Sequence, residues 1–116
     1  MAIKVIKTPI KKSELLEIAK EKFGDIVKAV VDIEQEIMAV GGELHSDEEV
    51  LLAEQENSKR ENMWGINLYP EISSADWLEF DSMINIKPNF GNRSRGVENS
   101  STQEKIKKII EELIKE

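Results

Sequence analysis

The segment "IVKAVVDIEQEIMAVGG", residues 26–42, constrains the fold most, because two β-branched apolar runs flank a short polar step. Such runs are typical of two antiparallel strands joined by a tight turn. A continuous helix is the competing interpretation, since apolar residues from Ile33 to Val40 also recur at helical spacing. The many β-branched residues and the pair Gly41 and Gly42 favour strands. We therefore predict a hairpin of two inner strands of a sheet.

The segments around this hairpin predict further strands and helices. "AIKVIK" alternates like a first strand, and "MWGINLYP" and "WLEFDSMINIKP" alternate like a second hairpin joined by "EISSAD". Helices are expected after Ser13, after a capping box of Ser46 and Glu49, and after another of Ser101 and Glu104. The order β-α-β-β-α-β-β-α predicts an α+β fold, with a mostly antiparallel sheet of about five strands and helices packed on one of its faces.

The composition bounds the class of protein. The 116 residues have the length of one domain, 1–116, with a single core. The absence of cysteine excludes disulfides, thiolate zinc sites and a cysteine nucleophile. The N-terminal stretch lacks the pattern of a secretory signal, and no stretch approaches the roughly 20 apolar residues of a membrane helix. We expect a cytoplasmic protein that does not associate with membranes.

The charge balance disfavours nucleic acid as a partner. The chain has 23 acidic and 16 basic residues and a net charge of -7, which repels a polyanion unless the cations are concentrated on one face. No motif indicates a cofactor, and we expect none. An anionic small molecule and a protein partner, including a second copy of the chain, remain open as partners.

A cationic loop interrupts this acidic sequence. The stretch "GNRSRG", residues 91–96, lies between the last predicted strand and the last predicted helix, and we call it the Gly/Arg loop. Successive backbone N–H groups of a glycine-containing turn can bind an anion, and arginine adds a fork of donors. Extended backbone would place Arg93 and Arg95 on the same side, with Asn92 and Ser94 completing the set of donors. In the alternative interpretation, the glycines only permit turns and the arginines pair with carboxylates.

The last two predicted strands carry a second group of polar residues. These are Asn67, Tyr69, Asp81 and Asn85. Amides and a carboxylate on one sheet face are typical of a cleft, although a solvated face has the same pattern. Asp81 is a suitable partner for Arg93 or Arg95, which would join this face to the Gly/Arg loop. We therefore count Asp81 and Asn85 among the candidate ligand-binding residues.

The only histidine lies in "GGELHSDEE". Glu43, His45 and Asp47 recur at a spacing of two, so an extended strand would place these three metal-ligand types on one face. In the alternative interpretation this stretch is a strand end followed by the first turn of a helix, where acidic residues are favoured by the helix dipole. His45 is also a weak candidate for a general base.

Several of these segments resemble a family of small uncharacterised prokaryotic proteins. The resemblance runs through "VKAVVDIEQEIMAVGGELHSDEE", "WGINLYP", "WLEFDSMINIKP" and "GNRSRGVEN", and it covers most of residues 13–114. It implies a single-domain unit, but no activity and no catalytic residue. In one departure, "AEQENSKRENMWG" lacks the glycine that the family pattern places before Ser58. The resemblance therefore implies a looser connection at this point.

Three hypotheses about function follow from the residues. The first is a binding module that captures an anionic group of a small molecule or peptide at the Gly/Arg loop. The second is a small hydrolase or transferase, in which His45 is the base and Arg93 or Arg95 stabilises developing negative charge. The third is a structural or regulatory domain that binds protein. The second hypothesis requires His45 and the Gly/Arg loop to lie at the same site.

Overall fold

The structure of the chain is a computed structural model that describes residues 3–116. Its helices and strands, in chain order, are β1 (Lys4–Ile6), β2 (Ile10–Lys11), α1 (Lys12–Lys22), β3 (Val27–Asp32), β4 (Ile37–Val40), α2 (His45–Glu56), β5 (Met63–Leu68), β6 (Leu78–Glu79), α3 (Ser100–Leu113) and β7 (Ile114–Lys115). Short 3-10 turns lie at Arg60–Asn62, Ala75–Trp77, Met83–Asn85 and Pro88–Phe90. No helix within residues 3–116 is long and apolar enough to cross a membrane.

The main sheet has five strands in the order β1-β4-β3-β5-β6, and every neighbouring pair is antiparallel. The predicted α+β class and the predicted inner hairpin are confirmed, because β3 and β4 pair directly and both lie inside the sheet. A separate small sheet joins β2 to β7 in parallel. This pairing ties the start of the chain to the segment after α3.

Both faces of the main sheet carry a hydrophobic core. Alternate strand residues such as Val31 and Ile66 pack with α1 and α3 on one face, while Val30 and Ala39 pack with Leu52 of α2 on the other. The prediction that helices cover one face was therefore wrong. Two covered faces also explain the nearly continuous apolar sequence of β3 and β4, since a strand buried on both sides has no solvated positions.

The turn between β3 and β4 is held by a buried carboxylate. Asp32 Oδ1 accepts hydrogen bonds from the backbone N–H groups of Glu34 and Gln35 at 2.9 and 3.1 Å, and Asp32 Oδ2 accepts one from Ser58 Oγ at 2.6 Å. The turn ends at Glu36, whose φ of 59° lies in the left-handed region. This conformation is costly for a residue with a Cβ atom.

The predicted helix starts differ from the observed ones. Ser13 and Ser46 lie inside α1 and α2, which begin after Lys11 and Leu44 without a side-chain cap. The cap of α3 is Asn99, whose Oδ1 accepts a hydrogen bond from the backbone N–H of Thr102 at 3.0 Å. Serine, asparagine and aspartate have similar preferences for the cap position. In each of these segments a polar residue of the first turn was therefore mistaken for the cap.

The predicted strand "WLEFDSMINIKP" forms only two residues of strand, β6. The hairpin with β5 is confirmed, because Leu68 pairs with Leu78 and Asn67 pairs with Glu79. Beyond β6 the prediction was wrong, since Ser82 caps a 3-10 turn by accepting a hydrogen bond from Ile84 N–H at 3.3 Å. The apolar side chain of Ile84 and the polar side chain of Asn85 are both buried in this turn, so the alternation in the sequence does not reflect two faces of a strand.

The connection after α2 uses asparagine where the family pattern suggested glycine. Asn57 ends α2 in the left-handed region, with φ 56° and ψ 28°, and its N–H bonds Leu52 O. Asparagine tolerates this conformation better than other residues with a Cβ atom. Ser58 is buried against Asp32, so the connection is fixed at this point.

Candidate functional site

The backbone N–H groups of the Gly/Arg loop bind an anion that belongs to the chain itself. Glu98 Oε2 accepts hydrogen bonds from Arg93 N and Ser94 N at 2.9 and 2.8 Å. Hydrogen bonds from Ser94 and from the Arg93 backbone hold the pKa of the Glu98 carboxyl below its usual range. In this structure, two of the backbone N–H groups that were predicted to bind an anion are therefore occupied by the Glu98 carboxylate.

Asn92 holds the loop together from inside. Its Nδ2 atom donates to the carbonyls of Asn85, Ser94 and Gly96 at 2.8, 3.1 and 2.8 Å, and its Oδ1 atom accepts from Glu98 N at 2.9 Å. The side chain is buried, and both ends of its amide are used. These contacts give Asn92 a structural role, whereas the sequence predicted a ligand contact.

The Asn85 side chain takes the place of a neighbouring strand beside β5. Its Oδ1 atom accepts from Gly65 N at 2.8 Å and its Nδ2 atom donates to Gly65 O at 2.9 Å, which is the pair of bonds that a neighbouring strand would make. Gly65 is required at this point, because a Cβ atom there would lie 2.5 Å from Ser82 Cβ. Asn85 Nδ2 also donates to Arg95 O at 2.9 Å and so fixes the loop that carries Arg95.

The two arginines of the loop have different surroundings. Arg95 Nε donates to Asp81 Oδ1 at 2.7 Å, which confirms the predicted pairing of Asp81 with one of the arginines. The Nη atoms of Arg95 make no hydrogen bond within residues 3–116. Arg93 is exposed and lies near Glu98. Only Arg95 of the two lines a cavity with His45.

Arg95 lines a cavity of about 380 Å³ beside the N-terminal end of α2, which we call the His45 cleft. The cleft brings His45, Asp81 and Arg95 together, although they come from three distant parts of the sequence. Its lining residues are Ile26, Lys28, Leu44, His45, Ser46, Asn67, Asp81, Ser82, Met83, Ile84 and Arg95. The geometric requirement of the second hypothesis, one site for His45 and the Gly/Arg loop, is therefore met.

Sheet register places two further polar residues in the cleft. Lys28 of β3 pairs with Asn67 of β5, so their side chains are neighbours on the same face of the sheet. Asn67 Nδ2 donates to Glu79 Oε1 at 2.9 Å and to Asp81 O at 3.1 Å, which fixes the orientation of the amide. Asn67 Oδ1 is buried and has no hydrogen-bond partner within residues 3–116.

His45 is the first residue of α2 and is half-buried at the base of the helix. Its Nε2 atom lies 2.8 Å from Ile66 O, and since a carbonyl only accepts, Nε2 carries a proton. Burial lowers the pKa of the His45 imidazole, and the hydrogen bond to Ile66 opposes this effect without cancelling it. At neutral pH the ring is therefore neutral, with the lone pair on Nδ1.

The candidate metal ligands do not form one group. His45 and Asp47 lie in α2 rather than in a strand, so Glu43, His45 and Asp47 are not aligned on one face. Glu43 Oε1 lies 3.9 Å from Lys22 Nζ. Within residues 3–116 there is no cluster of three or more His, Cys, Asp or Glu side chains that could hold a metal ion.

Besides Asp32, two buried ionisable residues outside the cleft were not predicted. Glu48 of α2 is fully buried, and burial raises the pKa of its carboxyl to about 9; Gly42 N donates to its Oε2 at 2.9 Å. Burial lowers the pKa of Lys87 to about 8, and its ammonium group bonds the carbonyls of Arg60 and Met63 and lies 4.2 Å from the centre of the Trp64 ring. Charged residues in amphipathic segments are normally solvated, so no pattern in the sequence indicated the burial of Glu48 or Lys87.

Sequence reasoning also missed Lys28 as a cleft residue. It is the one charged position inside the apolar strand β3, which ends at Asp32, and such an interruption is the signal that was available. Its neighbour Asn67 was recognised as part of a polar face, and the structure places Asn67 and Asp81 of that group in the cleft. Tyr69 lies on the same face and donates to Glu79 Oε1 at 3.1 Å.

Comparison with known proteins gives a family and no functional relative. No curated protein and no solved structure matches the chain. One family model, described as "Protein of unknown function (DUF5674)", matches residues 4–113. The match spans every element from β1 to α3, including the His45 cleft and the Gly/Arg loop. The chain therefore belongs to the DUF5674 family.

Proposed function

We propose that the chain is a binding module for a small molecule that carries an anionic group and an apolar part, and that the His45 cleft is its site. The observation that carries this proposal is the convergence of Lys28, Arg95 and His45 on one cavity of about 380 Å³. Cavities of this size, with apolar walls and a few polar groups, are typical of small-molecule sites.

The charges of the cleft favour an anion. The residues that line the cleft include two cations, Lys28 and Arg95, and one carboxylate, Asp81, whereas the whole chain has a net charge of -7. Asp81 engages only the Nε atom of Arg95, so both Nη atoms remain able to donate to a carboxylate or a phosphate. The Asp81 ion pair and the backbone bonds of Arg95 orient the guanidinium group before a ligand arrives.

The walls of the cleft favour an apolar part in the same ligand. Ile26, Leu44, Met83 and Ile84 line it. Leu44 and Met83 are 54% and 64% exposed, which is high for large apolar side chains that line the same cavity. A ligand that covers them would gain hydrophobic stabilisation in addition to the ion pair.

The Gly/Arg loop contributes one side chain to this site. Its backbone N–H groups are occupied by Glu98, and Asn85 and Asn92 use their amides inside the fold. Of the predicted ligand-binding residues, Arg95 and Asp81 therefore support the proposal by their positions. Arg93 and Ser94 do not line the His45 cleft and serve as controls.

A thermal-shift comparison of matched variants tests the proposal. Wild type, Arg95→Gln and Arg93→Gln would be screened against sulfate, benzoate, hexanoate and uridine monophosphate at constant ionic strength. A ligand at about 100 times its dissociation constant stabilises the folded state by about 2.7 kcal/mol. We expect stabilisation of wild type and Arg93→Gln, and a much smaller effect on Arg95→Gln. Equal stabilisation of all three proteins, or of none, would contradict the proposal.

The meeting of His45 and Arg95 also favours a second candidate function, a hydrolase or transferase. A neutral imidazole with a lone pair on Nδ1 can act as a base, and Arg95 or Lys28 can stabilise developing negative charge. Hydrolysis of p-nitrophenyl esters and phosphates would be measured for wild type and His45→Gln. Turnover that His45→Gln lowers by at least about 100-fold, with binding retained, supports catalysis. Binding without turnover leaves the binding module as the function.

A further inference from the structure

We propose that anion binding in the His45 cleft is coupled to the uptake of one proton by His45, so that the cleft holds its ligand more tightly under mildly acidic conditions. This inference rests on the proposed function and adds the regulation of the same site. It follows from the hydrogen-bonding capacity of the ring, from the burial of a neighbouring acceptor and from the charges that face the ring.

The neutral His45 ring has a single N–H group that can donate a hydrogen bond. Nε2–H donates to Ile66 O at 2.8 Å. The next residue along β5 is Asn67, which lines the same cavity as the ring and whose Oδ1 atom has no hydrogen-bond partner within residues 3–116. A neutral imidazole has a single N–H donor, whereas the imidazolium has two. Only the protonated ring can therefore donate a second hydrogen bond while Nε2–H stays on Ile66 O.

An acceptor beside the ring, Asn67 Oδ1, has no donor within residues 3–116. Asn67 is 6% exposed, and its Oδ1 atom is buried without a partner. The amide cannot rotate to exchange its ends, because Nδ2 is held by Glu79 Oε1 and Asp81 O. A buried polar atom without a hydrogen bond lowers stability, so the cleft has an acceptor that a further donor would stabilise.

The cations around the ring disfavour protonation of His45. Lys28 of β3 disfavours the imidazolium, and Arg95 lines the same cavity. Asp81 acts in the opposite direction but already pairs with Arg95. On α2 itself, Asp47 is exposed and Glu48 is protonated in its buried position. Burial is the largest of the effects that keep the ring neutral.

An anion in the cleft reverses this balance. It screens Lys28 and Arg95 from the ring and adds a negative charge beside it, which favours the imidazolium. By linkage, a ligand that raises the pKa of His45 must bind more tightly to the protonated form by the same factor. We therefore expect the dissociation constant of the anion to be several-fold lower at about pH 5.5 than at about pH 8.

The inference is tested by NMR on the side chain of His45, whose signals are unambiguous because the chain has one histidine. Imidazole ¹⁵N and ¹H shifts of the full chain would be titrated with pH, with saturating benzoate and with chloride at equal ionic strength. Benzoate keeps its charge from about pH 5.5 to about pH 8, since carboxylic acids titrate near pH 4. We expect the Nε2–H tautomer without benzoate, and a higher pKa with it. Calorimetry in buffers of different ionisation enthalpy would count the protons taken up.

The backbone amide shifts recorded on the same samples separate the two proposals. Cleft amides that respond to benzoate while the His45 pKa stays fixed would overturn the coupling and leave the binding proposal intact. Amides that do not respond at any pH would overturn both. His45→Gln provides the control, because it should bind benzoate with no pH dependence in this range. A pH dependence retained in His45→Gln would assign the proton to another group and also overturn the inference.

Discussion

Arg93 and Arg95 differ in role although they stand two positions apart in the same loop. The Arg95 backbone carbonyl is held by Ser82 N at 3.0 Å and by Asn85 Nδ2 at 2.9 Å, and its side chain pairs with Asp81. Arg93 contributes its N–H to Glu98 and leaves its side chain exposed. The spacing of two suggested equal roles, because it assumes extended backbone. The bends at residues 94–96 make the positions of Arg93 and Arg95 different.

Asn85 is expected to be among the most sensitive residues for stability. Asn85→Ala removes both hydrogen bonds to Gly65 and one to Arg95 O, and it leaves buried backbone groups without partners. We expect a loss of about 3 kcal/mol in the free energy of unfolding, measured by urea denaturation. Asn89→Ala, at an exposed position nearby, should change it by less than about 0.5 kcal/mol. Similar values for the two variants would contradict the role of Asn85 as a substitute strand residue.

Glu48 is expected to make stability depend on pH. Its pKa is about 9 in the folded chain and near the ordinary 4.5 when unfolded, so unfolding releases a proton between these values. Its stabilising effect is complete below about pH 4.5 and is lost as pH rises towards 9. Glu48→Gln stays neutral throughout, so we expect it to be more stable than wild type by about 2–3 kcal/mol at pH 7 and to flatten the profile.

The control for this prediction is Glu54→Gln in the same helix, where the carboxylate is exposed. It should leave the slope of the wild-type profile unchanged. Urea denaturation of the three proteins from about pH 5 to about pH 9 provides the measurement. A Glu48→Gln variant that is less stable than wild type at pH 7, with the same slope, would show that Glu48 is ionised in its buried position.

At the level of elements, the β3–β4 turn retains a residue poorly suited to its conformation. Glu36 has a φ of 59°, which costs about 1–2 kcal/mol for a residue with a Cβ atom. Glu36→Gly removes this cost. The greater conformational freedom of glycine in the unfolded state offsets part of the resulting gain in stability. We expect a net gain of about 0.5–1 kcal/mol in thermal or urea denaturation. Glu34→Gly, where φ is negative, should instead lower stability.

The elements were largely predictable because their cores are periodic. The β-branched runs of β3 and β4 and the apolar stripe of α3 follow from spacing alone, and both are present. Helix starts were less predictable, because several polar residues in one turn suit the cap position equally well. The segment after β6 was not predictable, because Asn85 satisfies the backbone of Gly65 from a turn that keeps the alternation of a strand.

At the level of the whole molecule, the His45 cleft depends on contacts that are distant in sequence. Lys28 and Asn67 become neighbours through the register of β3 and β5, and His45 joins them because α2 covers that face of the sheet. Arg95 is held at the cleft by the hydrogen bond from Asn85 to its backbone carbonyl and by the ion pair of its side chain with Asp81. Single residues of the site could be suspected from the sequence. Their assembly could not, since it required the strand register and the face that α2 covers.

The central claim is that the His45 cleft binds a small anionic molecule, and a titration of ¹⁵N-labelled chain with benzoate tests it most directly. We predict saturable amide shifts concentrated at Lys28, Ser46, Asn67 and Ser82, around the cleft, and their loss in Arg95→Gln but not in Arg93→Gln. Shifts centred on the exposed residues of the Gly/Arg loop, or shifts that Arg95→Gln leaves unchanged, would contradict the account.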